Sequence, residues 1–478
     1  MIAGPNSASN PIDLPKRLPL VPGPENRDDD TSKDARLVNA YVESKPGKDG
    51  ASETWIYMRP GLDEYQRPPA GNAAGSGVFE WRGDFYAIFG SVLYRNGVSV
   101  GTGLNTAGGV YRFSQCLGGT QRMQFGNGVL AYNYTVAGGV VQITDGDFPS
   151  SFVKGWAYLD GTTYVMRTAD AGIQGDDIND PVNWNPLNVI IAQVEPDLGK
   201  AMAKQLVYVI AFKQWSTEVF YDAANATGSP LGTVQGAKAS YGCVSSDSVR
   251  MIDGVLLWVA TNKEGSAQVV KMDNLKVEPV SNRFVERLLD HADFSSVHSF
   301  VFKENGHRFY VLTVVNENLT LVYDLTENRW HQWTDASGNY FPVVDAAVLS
   351  TGEHIFQHAT NGRLYYASMD FDTDDGSLIQ VDIYTPNFDG GVRMNKLLNR
   401  LELITDQKQG AEMQVRCNDN DYEPKSWSNF RTLDLSKKRP TITDCGTFRK
   451  RAYNFRYMKP VRMPRVQAVE LDMELGTL

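Results

Sequence analysis

The sequence predicts an all-β fold, a divergent β-propeller of about six blades followed by a smaller β-sandwich. Three observations carry that expectation. The segment 321–333, Leu-Val-Tyr-Asp-Leu-Thr-Glu-Asn-Arg-Trp-His-Gln-Trp, places two short apolar strands about a polar turn and closes on Trp, as the outer hairpin of a propeller blade does. Looser copies of the hairpin recur along the chain. Helix signals are scarce, whereas 43 Gly, 22 Tyr and 21 Phe favour tight turns and strands.

The copies lie at 92–100, 129–143, 217–234, 267–280, 319–333 and 363–384. Taken from Tyr94, Tyr132, Phe220, Val270, Tyr323 and Tyr365, their spacings are 38, 88, 50, 53 and 42 residues. Four of these match one four-stranded blade of roughly 40–50 residues. The 88-residue gap must hold an insertion or an elaborated blade. Between strands stand Asn96-Gly97, Asn127-Gly128, Asp160-Gly161, Asp253-Gly254, Asn305-Gly306 and Asn361-Gly362, the dipeptides that supply positive φ to two-residue turns. A ring of blades leaves few exposed sheet edges, which suits so many short strands.

The ends differ from the middle. Residues 1–51 carry Pro5, Pro11, Pro15, Pro19, Pro22, Pro24 and Pro46 around the acidic run 28–30. Such a segment cannot bury enough apolar surface to fold alone, and is expected as an extended arm, either a floppy tail or laid along a neighbouring subunit. Residues 52–391 are expected to form the propeller. Residues 392–478 are expected as a separate sandwich, with strands near 401–405, 412–417, 430–435, 454–457 and 466–475. A capping Ser281 ahead of Phe284, Val285, Leu288 and Leu289 predicts a short helix, and 195–205 is a second helical candidate.

At 478 residues, 42% hydrophobic and 21% charged, the chain is a folded protein of two or three units. A net charge of −10 argues against a free-standing nucleic-acid binder. Cys116, Cys243, Cys417 and Cys445 form no C-x-x-C pair, so neither a zinc ribbon nor a disulfide framework is expected, and a reducing compartment fits best. The N-terminus does not read as a signal peptide, and apolar runs such as 206–212 are of strand length, far short of the ~18 residues of a membrane span. No membrane insertion is expected.

Metal and catalytic signals are weak. His354 and His358 have the i, i+4 spacing of a zinc pair, but the segment reads as a strand and lacks the following Glu. The segment 370–376 imitates a calcium loop, yet Asp375 stands where Gly is required and Val381 where Glu is. No P-loop, G-x-S-x-G or glycosidase Asp-box turn occurs. No cofactor, metal or catalytic residue is assigned, and a non-enzyme is expected. Residues 393–478 hold 17 Lys/Arg against 11 Asp/Glu. Two clusters stand out, Lys437, Lys438, Arg439 and Arg449, Lys450, Arg451, with Tyr453, Phe455 and Tyr457 among the basic residues that follow. They face either phosphate or an acidic surface of another subunit.

One constellation goes beyond a generic propeller. Trp184-Asn-Pro186 is followed by Ala192-Gln-Val-Glu195-Pro-Asp197, an apolar strand 207–212, and Thr217-Glu-Val-Phe-Tyr221. Together with 34–41, Arg59-Pro-Gly-Leu62 and the basic C-terminal segment, this order resembles the packaged-DNA stabilisation proteins of short-tailed phages, also called tail hub or nozzle proteins. The resemblance implies a virion tail protein assembled in the host cytoplasm. It also implies a homo-oligomeric ring, a hexamer, below the portal and adaptor. Double-stranded DNA would pass through its lumen without sequence-specific contact, and tail fibres, tailspikes or a needle would dock on it. The rival readings are a glycan-binding or glycan-cleaving, sialidase-like propeller and a kelch-like adaptor. The first predicts carboxylates and Arg converging at the propeller axis.

Overall fold

The computed structural model describes residues 17–20, 35–46, 52–68, 71–117 and 119–475. Much of the expected arm, including the acidic run, lies outside them. The chain divides into two compact units, Arg59–Ile379 and Met1–Met58 with Gln380–Leu478.

The first unit is a propeller. Six antiparallel blades are each four consecutive strands, opening at Gly75–Trp81, Arg112–Cys116, Ala157–Leu159, Gly199–Gln205, Arg250–Ile252 and Val297–Glu304. These are blades 1 to 6. A seventh takes its inner three strands from Val343–Val348, His354–His358 and Leu364–Ser368, and its fourth from Gly61–Gln66, far earlier in the chain. The N-terminal strand thus closes the ring, and the first strands of blades 7 and 1 lie side by side. Gly61 is required there, because a Cβ would fall 2.4 Å from the Phe371 carbonyl oxygen.

Five of the six expected hairpins are outer hairpins, of blades 1, 2, 4, 5 and 6. The 88-residue gap contains all of blade 3, whose last strand is the twelve-residue Asp180–Ile191. Its register shifts at Gln174/Asp176 and again at Asp176/Asp177, which obscures the alternation. The hairpin expected at 363–384 does not form. Leu364–Ser368 pairs with Gly61–Gln66, and Val381–Tyr384 belongs to the other unit.

The turns follow local chemistry. Asn96, Asp160, Asp253 and Asn305 have φ of 47°, 47°, 50° and 48°, each followed by a positive-φ Gly, as type I′ turns need. Asn127 and Asn361 differ. Their side-chain oxygens accept backbone N–H groups two residues on, from Val129 and Arg363.

Neighbouring blades share apolar faces. Met202, Val209 and Phe220 of blade 4 pack with Tyr164, Met166 and Ile173 of blade 3. Trp258 and Val270 of blade 5 join Ile210 and Phe212 of blade 4. In the hairpin at 321–333, Tyr323 and Trp330 lie 5.0 Å apart, and the Trp330 indole donates to the Val280 carbonyl across to blade 5. The α-helix α1 (Arg283–Leu289) buries Phe284, Val285 and Leu289. Its cap is Asn282 rather than Ser281, whose hydroxyl donates to Glu286 instead. The helix expected at 195–205 is the strand Gly199–Gln205, since blade 4 needs a first strand and Ala201 and Met202 bury its two opposite faces, towards blades 5 and 3.

The second unit holds two sheets. One runs Ala40–Pro46, Ser52–Met58, Val466–Leu475, Lys396–Thr405, Thr441–Thr443. The other runs Arg36–Val38, Val381–Tyr384, Ala452–Tyr457, Glu412–Asn418, Arg431–Asp434. Strands 36–38 and 40–46, assigned from composition to the arm, therefore pair within this unit, and the expected boundaries at 51 and 391 fall instead at 58 and 379. Leu37, Ala40, Tyr41 and Val42 are buried, which supplies the reason: this short stretch is apolar enough to join a sheet.

Candidate functional site

Seven first strands converge on the propeller axis, and charged side chains meet there. Asp247 precedes the first strand of blade 5. Its carboxylate receives Arg112 of blade 2 at 3.2 Å and Lys154, just before the first strand of blade 3, at 2.6 Å. Arg250 of blade 5 pairs with Asp345 of blade 7 at 2.8 Å and donates to the Ser299 carbonyl of blade 6. The other oxygen of Asp345 accepts the backbone N–H of Val78 in blade 1. His298 of blade 6 is largely buried beside them, and burial holds its imidazole below the usual histidine range despite Asp247. Burial likewise lowers Lys154, against the pull of Asp247, and pushes Arg250 down to about 10. Beside this network opens a pocket of about 230 Å³, whose wall includes Arg112, Lys154, Lys204 and Arg250 with Phe113 and Trp156.

The carboxylate–arginine convergence foreseen for a glycan-active propeller is thus partly present. Each carboxylate is held by two cations or by a cation and an amide, an arrangement suited to holding charge. Sequence reasoning missed these residues. Arg112, Lys154, Asp247, Arg250 and Asp345 come from four blades, and no local spacing marks them.

The constellation at 184–221 assembles around a residue the sequence did not single out. The side chain of Lys213 is fully buried. Its ammonium donates to the carbonyls of Ala192 (3.1 Å) and Glu195 (2.7 Å) and pairs with Asp197 (2.9 Å) and Glu218 (2.6 Å). Glu218 accepts the Val194 N–H, and Asp197 accepts the Trp215 N–H and the Ser216 hydroxyl. The A-x-x-E-x-D and T-E-V segments are therefore the walls of a lysine cage. The Glu195 side chain points outward to Lys238 and Lys263, which hold its carboxyl at about 2. Trp184 is buried against Phe148, rings 4.8 Å apart.

The two basic clusters occupy opposite ends of one strand, Lys396–Thr405. Arg439 pairs with Glu402 at 2.5 Å near one end, and Arg449 donates to Asn395 beyond the other. Seven residues of strand put them roughly 23 Å apart. Lys437 and Lys438 are exposed, with Lys437 4.0 Å from Asp434. Lys450 pairs with Asp421. Arg451 is not a surface cation: it is buried, bidentate to Asp419 at 2.7 and 2.9 Å, and stacked over Phe448. Tyr453, Phe455 and Tyr457 are buried as well. A single aromatic-basic face for nucleic acid is not what these residues form.

His354 and His358 stand on a strand, and two of the four 370–376 carboxylates are engaged by arginines, Asp374 by Arg59 and Asp375 by Arg363. Among the described residues no group of three His, Cys, Asp or Glu gathers as a metal site, and no helix is long and apolar enough to cross a membrane.

With this geometry in view, comparison with known proteins decides the family. The model of the phage stabilisation family, described as bacteriophage P22 Gp10, β-propeller, matches residues 16–373. The chain belongs to that family. It is accordingly a bacteriophage structural protein, as the constellation at 184–221 had implied, and the matched stretch spans every propeller blade. No curated protein matches the sequence. Similar solved structures include a streptogramin B lyase, at 9% identity, covering 69% of this chain and 97% of that one, with a TM-score of 0.40. PorZ, a surface component of the type-IX secretion system of Porphyromonas gingivalis, is 8% identical, covers 66% and 42%, and has a TM-score of 0.38. The exo-β-1,3-galactanase of Phanerochaete chrysosporium is 10% identical, covers 75% and 100%, and has a TM-score of 0.28. At such scores these likenesses carry no argument.

Proposed function

We propose that this phage stabilisation protein is a tail hub, or nozzle: a homo-oligomeric ring, sixfold, that sits below the portal and adaptor, retains packaged DNA, guides its ejection, and carries fibres, spikes or a needle. Family membership over residues 16–373 is the observation that carries the reading. The distribution of exposed apolar residues supports it. Val98, Val141 and Leu187, on the outermost strands of blades 1, 2 and 3, are 67%, 59% and 75% exposed. Turn residues Ile178, Leu206 and Val207 are exposed to a similar degree. Blade edges with this much uncovered apolar surface suit contact between neighbouring subunits.

The net charge of −10 gives the ring a role towards DNA. An acidic lumen repels phosphates, so the duplex slides without sticking. The basic groups of residues 393–478 are mostly answered within their own unit, as in Arg456–Asp382, Lys459–Glu412 and Arg465–Asp406, and so serve the fold more than a nucleic-acid contact.

Electron microscopy of the purified chain mixed with its adaptor tests the proposal. Sixfold rings are expected. A chain that stays monomeric with the adaptor present, or a ring whose lumen is lined with Arg and Lys, overturns the corresponding part.

A further inference from the structure

We propose that the axial pocket of the propeller is a binding site for a small oxyanion of the phosphate class, held by Arg112, Lys154, Lys204 and Arg250. The charged groups of the pocket wall are all cations. The carboxylates Asp247 and Asp345 stand behind them and balance only two charges of the four. Arg112, Lys154 and Arg250 have side chains only 11–14% exposed, where uncompensated charge is costly. Arg112 Nη1 and Asp247 Oδ1 are both buried without a hydrogen-bond partner among the described residues, so the unmet partner of this network is a donor as well as an acceptor. Lys204 makes no ion pair among them either, although it lies on the same wall.

A dianion therefore supplies what the fold leaves unmet. It brings two negative charges for the excess of two positive ones, acceptor oxygens for Lys204, and a volume that the roughly 230 Å³ pocket accommodates together with water. Phe113 and Trp156 add aromatic surface to the same pocket wall. The lowered proton affinities of Lys154 and Arg250 agree, since both reflect burial among cations that an anion relieves. Phosphate of this chemistry comes either as the free ion or as an exposed phosphate of a nucleic acid, and the test separates the two.

The experiment is isothermal titration of the full chain with inorganic phosphate at constant ionic strength, with a duplex oligonucleotide as competitor. Wild type is expected to give a saturable 1:1 isotherm. Lys204→Glu, which breaks no ion pair of the fold, is expected to weaken phosphate at least tenfold while keeping the wild-type circular dichroism and melting temperature. Lys271→Glu, on a strand of blade 5 away from the pocket wall, serves as the charge-matched control and is expected to bind as wild type. Competition by the oligonucleotide assigns the site to nucleic-acid phosphate, and its absence assigns it to the free ion. No saturable isotherm, or equal weakening in Lys204→Glu and Lys271→Glu, overturns the proposal.

Discussion

Arg112 and Asp247 belong to blades 2 and 5, separated by two other blades, yet their side chains meet at 3.2 Å across the propeller axis. The pair ties opposite sides of the ring together.

Asp247→Ala removes the shared partner of Arg112 and Lys154 and leaves two buried cations unanswered. A loss of about 3–5 kcal/mol is expected, measured by urea unfolding, because the charges remain desolvated when their counter-ion goes. Asp247→Asn, which keeps the shape, is expected to lose nearly as much, since charge rather than volume is missing.

Lys213→Met leaves Asp197 and Glu218 buried without their cation. The expected cost is again about 3–5 kcal/mol. Adding Asp197→Asn and Glu218→Gln to the same chain should recover a good part of it. A triple variant no more stable than the single one would show that the cage walls, not the charges, matter.

Stability is expected to fall on acidification below pH 6.5. Burial holds His331 and His358 down at about 4, so between 6.5 and 4 the unfolded chain takes up protons that the folded chain refuses. Each contributes at most roughly 1.4 kcal/mol per pH unit. Replacing both by Gln should flatten the slope. Asp176 works in the opposite direction. Burial raises it to about 8, so its contribution is present below the ordinary carboxylate range and is lost as pH rises towards 8. Asp176→Asn should therefore stabilise the protein most at pH 8, in thermal melts across the range.

Gly61→Val is expected to destabilise the ring by about 1–3 kcal/mol, because the new side chain strikes the Phe371 and Thr373 carbonyls and dislodges the strand that completes blade 7. Limited proteolysis should then cut first within the released strand Gly61–Gln66. Unchanged resistance would mean the ring holds without that closure.

The legible parts of this protein are those built from near neighbours in sequence. Asn96-Gly97 and Asp253-Gly254 dictate their turns by φ alone, and Tyr323 with Trp330 declares a blade because both residues sit in one hairpin. The constellation at 184–221 marked the family, although Lys213, the centre it surrounds, gave no signal beyond a charge at the end of an apolar strand. Blade 3 stayed hidden behind the shifts at Asp176, which break the two-residue period of its strands.

From the sequence alone came the propeller, its repeat length and the family, because hairpins are local and their side chains alternate whatever lies around them. Tertiary structure alone decided that Gly61–Gln66 closes a seventh blade, that Arg36–Val38 pairs with Val381–Tyr384 and Ser52–Met58 with Val466–Leu475, and that Arg112, Lys154, Asp247, Arg250 and Asp345 share one axis. These are contacts over tens to hundreds of residues. They depend on how the ring closes and on where buried charges find partners, and the periodicity of a chain records neither.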